Sequence, residues 1–174
     1  MDVFETIYGR RSIRKYTDKA IESSSMEKIL DAARWSPNGS NANAWRFVVV
    51  TSPAQKKLLL KFVPGVSDMP AAIIVVCIEP RQKRVRETAR LIYMADAAIA
   101  AENIALAAHA LGIGSCIVVS FADVALRPLL DLPDEISPYI ILSLGYPAES
   151  PEPPPRLAIQ KIVFLDEYGK EWPS

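Results

Sequence analysis

The stretch that most narrows the choice of folds is residues 91–111. Alanine dominates it, and Leu91, Ile92, Met94, Ile99, Ile104 and Leu106 are spread round the circumference instead of along one stripe. A helix apolar on all sides is either buried in protein or embedded in lipid, and a length of about 20 residues would just span a bilayer. Asp96, Glu102, Asn103 and His109 fall inside the stretch, and ionisable groups are costly in hydrocarbon. The expectation is a central helix in a protein with no membrane span. Its small residues would let neighbouring helices, those of a second copy included, approach closely. Glu102 and His109 lie seven residues apart on one side of it. That spacing suits a structural contact, with a catalytic pair as the alternative.

Other elements must cover this helix. A length of 174 residues suits one domain over residues 1–174, with residues 148–174 as a proline-rich arm and tail. Helical spacing of Val3, Phe4, Ile7 and Tyr8 predicts a helix over residues 2–9. A capping box at Ser24 and Glu27 opens a second, which Pro37 ends near Trp35. A strand over 46–51 follows, then a short helix from the Ser52-Pro53 pair through Phe62. The unbroken apolar run 71–78 predicts a strand buried on both faces. The charged segment 79–90 is expected to be mobile. Gly112 should cap the central helix in the left-handed conformation, ahead of a strand over 116–119. A second capping box, Ser120 to Asp123, opens a helix to about Leu130, and 139–144 form a further strand. Prolines at 151 and 153–155 stiffen an arm, beyond which a strand over 162–165 is placed to pair away from its own core.

Composition excludes several functions. Formal net charge is zero, which argues against nucleic acid as a partner. Cys77 and Cys116, each in an apolar run, read as buried thiols of a reducing, cytoplasmic compartment. One histidine and two distant cysteines leave no metal centre and no histidine-based triad. Any chemistry is expected to come from a bound cofactor, with no catalytic side chain. Two stretches could hold one. In 10–16, Arg10 and Arg14 lie four apart and would share a helical face if the first helix continued, with Ser12 between them and Arg11 beside. Forked guanidiniums around a hydroxyl suit a dianionic phosphate, and the alternative is a solvated basic face. The loop 36–43 carries Pro37, Asn38, Gly39, Ser40, Asn41 and Asn43 ahead of Trp45 and Phe47. Its amides and backbone N–H groups suit an acceptor-rich ligand. Alternatively it only joins helix to strand.

Together these stretches resemble the nitroreductase family of flavin enzymes. The residues that carry the resemblance are Arg10-Arg11-Ser12-Ile13-Arg14, Ser36 to Phe47, the alanine-rich helix running into Gly112-Ile113-Gly114-Ser115-Cys116, and Leu142-Ser143-Leu144-Gly145-Tyr146-Pro147 with Arg156 beyond. The resemblance implies an α+β fold, a mixed β-sheet flanked by helices, and a homodimer with the long helix in its interface and the C-terminal arm reaching the partner subunit. FMN would lie between subunits. Arg10, Arg11, Ser12, Arg14 and Arg156 would hold its phosphate. Pro37, Asn38, Gly39, Ser40, Asn41 and Asn43 of the other subunit would meet the ribityl chain and ring, and main-chain N–H groups near Val119 and Ser120 its reactive edge. The implied activity is transfer of hydride and electrons from NADH or NADPH to a nitroaromatic or quinone by a ping-pong mechanism. Alternatives on the same fold are dehalogenation, azoline oxidation, flavin breakdown, or non-catalytic FMN binding. The sequence departs from the family pattern at Asn38, Asn43, Ala44, Ile117 and Ser120, and the chain is short for the family.

Overall fold

A computed structural model describes residues 1–80 and 87–173. Four strands, β1 (Trp45–Val50), β2 (Ala72–Ile78), β3 (Gly114–Val118) and β4 (Ser137–Gly145), form one sheet in the order β1-β2-β4-β3. Every strand pair in it is antiparallel. The mixed character expected of the sheet is confined to one isolated parallel bridge, Ser12 to Ser115. Five helices surround it: α1 (Val3–Gly9), α2 (Ser23–Arg34), α3 (Pro53–Leu60), α4 (Glu87–Ala110) and α5 (Asp123–Leu129).

The sheet is covered on both faces, which is why β2 reads as an unbroken apolar run. Side chains alternate across a strand. Ile74, Val76 and Ile78 enter a core shared with α2 and α4, and Ile73, Val75 and Cys77 enter a second core shared with α3 and α5. Both cysteines are free and buried, as their apolar surroundings predict. Burial pushes the Cys77 thiol pKa up to about 12.

The central helix is organised differently from its all-round apolar reading. Ala97, Ala100, Ala101, Ile104, Ala105 and Ala108 make one fully buried stripe, nearly all alanine, so α2 and the sheet pack close to the α4 backbone. The bulkier Leu91, Ile92, Met94 and Ile99 are 61%, 50%, 51% and 39% exposed. Residues 90–110 are long and apolar enough to cross a bilayer. Here the helix is the core element, and Asn103 and Glu102 meet neighbours outside it. Asn103 Nδ2 donates to Ala32 O at 3.1 Å, and Glu102 pairs with Arg10 at 3.6 Å instead of turning to His109.

Some local expectations fail for identifiable reasons. Helix α2 begins one residue earlier than the Ser24 box, after Glu22, and α5 begins after Ala122; neither has a side-chain cap. The capping box that forms is Asp2 with Glu5 at the start of α1. Gly112 does take φ +73° after α4. No strand forms over 162–165. Phe164 instead bridges Glu171 within the tail, and Leu165 N donates to Lys170 O at 2.9 Å. The expectation of mobility for 79–90 falls largely on residues outside the described ones.

Candidate flavin site

Helix α1 ends at Gly9, because Arg10 already has extended geometry (φ −59°, ψ 133°). Arg10 and Arg14 therefore share no helical face, and period two replaces period four. Arg10, Ser12 and Arg14 alternate along an extended strap, where residues two apart lie on one side. The strap is tied to the sheet. Ile13 N donates to Ser115 O at 2.9 Å, Thr17 N to Tyr146 O at 2.9 Å, and Glu149 accepts from the N–H groups of Arg14 (2.6 Å) and Lys15 (3.1 Å). Two glycines let it lie flat. A Cβ on Gly114 would fall 2.8 Å from the Ile13 side chain, and one on Gly145 would fall 2.7 Å from the Tyr16 ring.

This strap and the proline-rich arm enclose a recess of about 290 Å³ lined by Arg10, Arg11, Ser12, Arg14 and Arg156, with Glu152 at the arm. Every phosphate residue expected from the sequence is in it. Among the described residues, Arg14 and Arg156 have no carboxylate within ion-pair distance, and Arg11 Nε is buried without a hydrogen-bond partner. An excess of forked donors with one unused donor suits the dianionic phosphate of FMN. Below it, His109 packs under Gly9, where a Cβ would fall 2.7 Å from Nε2. Burial, then the nearby Arg10 and Arg11, lowers the His109 pKa from its ordinary value of 6.5.

The amide loop is the other half. It forms one 3-10 turn, Gly39–Asn41, and Ser40, Asn41 and Asn43 all hold positive φ near 50°. Asparagine tolerates that region better than most residues, and strained backbone of this kind gathers at ligand sites. Asn38 Oδ1 accepts from Asn43 N at 2.8 Å, closing the loop on itself. The loop is pinned from outside by Asp96 of α4, whose Oδ1 accepts from Gly39 N at 2.9 Å. Trp45 Nε1 donates to the carbonyl of the same residue at 3.3 Å. Asp96 is a site residue that the sequence signals only as a carboxylate misplaced in an alanine-rich helix. Pro37, Asn38, Asn41 and Asn43 line an open recess of about 750 Å³ with Trp35, Trp45 and Phe47. The Ser36 hydroxyl is buried nearby without a partner.

Within one chain the two halves do not meet. Their recesses share no lining residue. The loop rests on α4 at Ile92 and Asp96, and the strap on α4 at Glu102 and His109. Val119 and Ser120 lie apart from both, exposed just beyond β3, with Val119 69% exposed.

Comparison with known proteins supplies the decisive observation. The family model described as the nitroreductase family matches residues 7–68 and 60–146. The chain belongs to the nitroreductase family. A protein of Methanothermobacter thermautotrophicus, with the provisional name NADH dehydrogenase/NAD(P)H nitroreductase, is 37% identical over 158 residues, covering 87% of this chain and 80% of its own. The FMN reductase (NADPH) of Bacillus subtilis is 25% identical over 187 residues, covering 97% and 75%. The solved NADPH:FMN oxidoreductase of Vibrio harveyi, complexed with NAD+, superposes with TM-score 0.88 at 27% identity, covering 96% of this chain and 78% of that one. The nitroreductase fold is thus present with its α+β architecture, and both motifs lie within the matched residues.

Proposed function

We propose that the protein is an NAD(P)H-dependent flavin oxidoreductase that binds FMN at the interface of a homodimer and reduces an electron-poor small molecule, a nitroaromatic or a quinone. The observation that carries this reading is the recess holding Arg10, Arg11, Ser12, Arg14 and Arg156 together on a family scaffold. Relatives named for FMN, flavin and NADPH support the cofactor and the donor. FMN held there would supply the redox chemistry, accepting hydride from a reduced nicotinamide and giving electrons to the acceptor in alternation.

The chain's own work is placement. The strap arginines and Arg156 grip the phosphate, with Ser12 adding a hydroxyl. Pro37 to Asn43 of the partner, with Asn38, Asn41 and Asn43 supplying amides and Gly39 and Ser40 the turn, meet the ribityl chain and ring. Backbone N–H groups at Val119 and Ser120 would meet the ring's reactive edge. The separation of the two recesses on one chain supports a site completed by a second copy. The shorter amide at Asn43 is held within the loop, its Nδ2 donating to Asn41 O at 3.1 Å and Asn41 Oδ1 at 3.3 Å.

Arg10→Ala and Arg14→Ala should each weaken FMN binding about tenfold or more, the loss expected for a charge-assisted hydrogen bond. Turnover of the loaded fraction should change much less. Flavin occupancy by absorbance after gel filtration, with anaerobic bleaching by NADH and NADPH, checks this. Full occupancy in both variants would remove the phosphate assignment.

A further inference from the structure

A third recess, of about 570 Å³, lies apart from the proposed flavin residues and shares no lining residue with the arginine recess or the amide-loop recess. Volumes of this size suit small ligands. Its walls include Ile21, Met26 and Met69. One wall residue is unlike these. Lys56 of α3 is only 6% exposed, and its Nζ donates to Pro70 O at 2.7 Å and Ala71 O at 2.9 Å. An ammonium has three hydrogens, so two are used. Among the described residues no carboxylate lies within ion-pair distance of it. Buried charges are normally paired, and here burial alone pulls the amine's pKa below its ordinary value.

The backbone adds to the same field. Ser23 and Pro53, the first residues of α2 and α3, both line the recess, and neither helix has a side-chain cap. Two helix N-termini bring partial positive charge to a space that already holds a buried cation. Asp18 and Glu27 also line it, but both are exposed and screened by water. Their effect is to disfavour a second negative charge.

We propose that this recess binds a small apolar monocarboxylate, its carboxylate on Lys56 and its hydrocarbon body against Ile21, Met26 and Met69. The site is independent of the flavin reading.

Methyl NMR of the full chain, labelled at the methionine methyls and kept in excess FMN, tests this with hexanoate, hexan-1-ol and hexylamine as probes. Hexanoate should shift Met26 and Met69 saturably and leave Met94 unmoved, and hexan-1-ol should bind about tenfold more weakly. Lys56→Gln should abolish that preference. Ile21→Trp, which fills the recess and leaves Lys56 intact, should abolish the shifts and decides the matter if the Lys56 variant does not fold. The proposal is overturned if hexanoate leaves Met26 and Met69 unmoved, or if the alcohol or amine binds as tightly. Persistence of the hexanoate shifts in Ile21→Trp also overturns it.

Discussion

Asp96 and His109 sit on one helix, and each packs against a different half of the proposed flavin site, Asp96 at Gly39 and His109 at Gly9. Asp96 accepts the Gly39 N–H while its second oxygen is buried without a partner. Removing the acceptor strands a backbone donor, which costs about 1–3 kcal/mol. Asp96→Ala should therefore lower stability by about that amount and loosen the loop. Asp96→Asn, which keeps an oxygen in place, should lose less; chemical denaturation of both variants separates them. His109 makes a pH prediction. Its folded pKa lies below 6.5 because it is buried and faces Arg10 and Arg11. As pH falls through that ordinary value, the unfolded chain takes up a proton that the folded chain refuses. Stability therefore falls from about pH 6.5 downward and stops falling once the folded residue protonates too. Carboxylates add their own acid slope at lower pH, so the variant comparison isolates the histidine. His109→Gln should flatten the stability profile between pH 7.5 and 5.5. An unchanged slope in denaturant melts across that range would show that the imidazole does not carry it.

At the scale of elements, legibility followed burial. Strand β2 and the end of α2 are readable because an unbroken apolar run and a proline each admit few alternatives. The Ser24 box is misplaced because Ser24 lies inside α2, and the Ser120 box because Ser120 lies two residues before the Ala122 cap of α5. The arginine strap was misread in period: the pattern 10, 12, 14 is visible, but only pairing to Ser115 and Pro147 makes it extended. Arg10, Ser12 and Arg14 line one recess all the same, because side chains two apart on an extended chain share a side. Asp96 was out of reach, since no local pattern says which loop a helical carboxylate will meet. The strap itself rests on Tyr16, whose hydroxyl lies 2.5 Å from Ile13 O and 2.7 Å from Ser143 Oγ in a buried site. Burial raises that phenol's pKa, so it stays a neutral donor. Tyr16→Phe leaves these oxygens short of a partner, which should cost about 1–3 kcal/mol. It should also weaken FMN binding, because the arginines lose their anchor. Calorimetric melts and flavin titration check the two effects separately.

For the whole molecule, the question is what covers its apolar surface. Val3, Phe4, Ile7 and Tyr8 of α1 are 63%, 61%, 48% and 71% exposed, and Leu91, Ile92 and Ile99 of α4 add to them. The arm contributes Leu157, Ile159 and Ile162, each more than half exposed. Where exposed apolar side chains of this number join in one patch, they mark an interaction site. Leu91, Ile92, Met94 and Ile99 of α4 face outward while Ala97, Ala100, Ala101, Ala105 and Ala108 face in, the reverse of a helix made only for its own core. On the proposed reading a second copy would supply the cover and also the other half of the flavin site. Dimerisation and FMN binding should then fail together. Phe4→Glu with Ile7→Glu adds two like charges to that face without touching the arginine strap, the amide loop or the buried cores. Sedimentation should show the variant as a monomer at concentrations where the parent is a dimer, and flavin titration should show FMN affinity down by a hundredfold or more, of the order expected when half of the polar contacts are absent. A monomer that still binds FMN tightly would mean that one chain's arginine recess suffices, and the shared site would have to be given up.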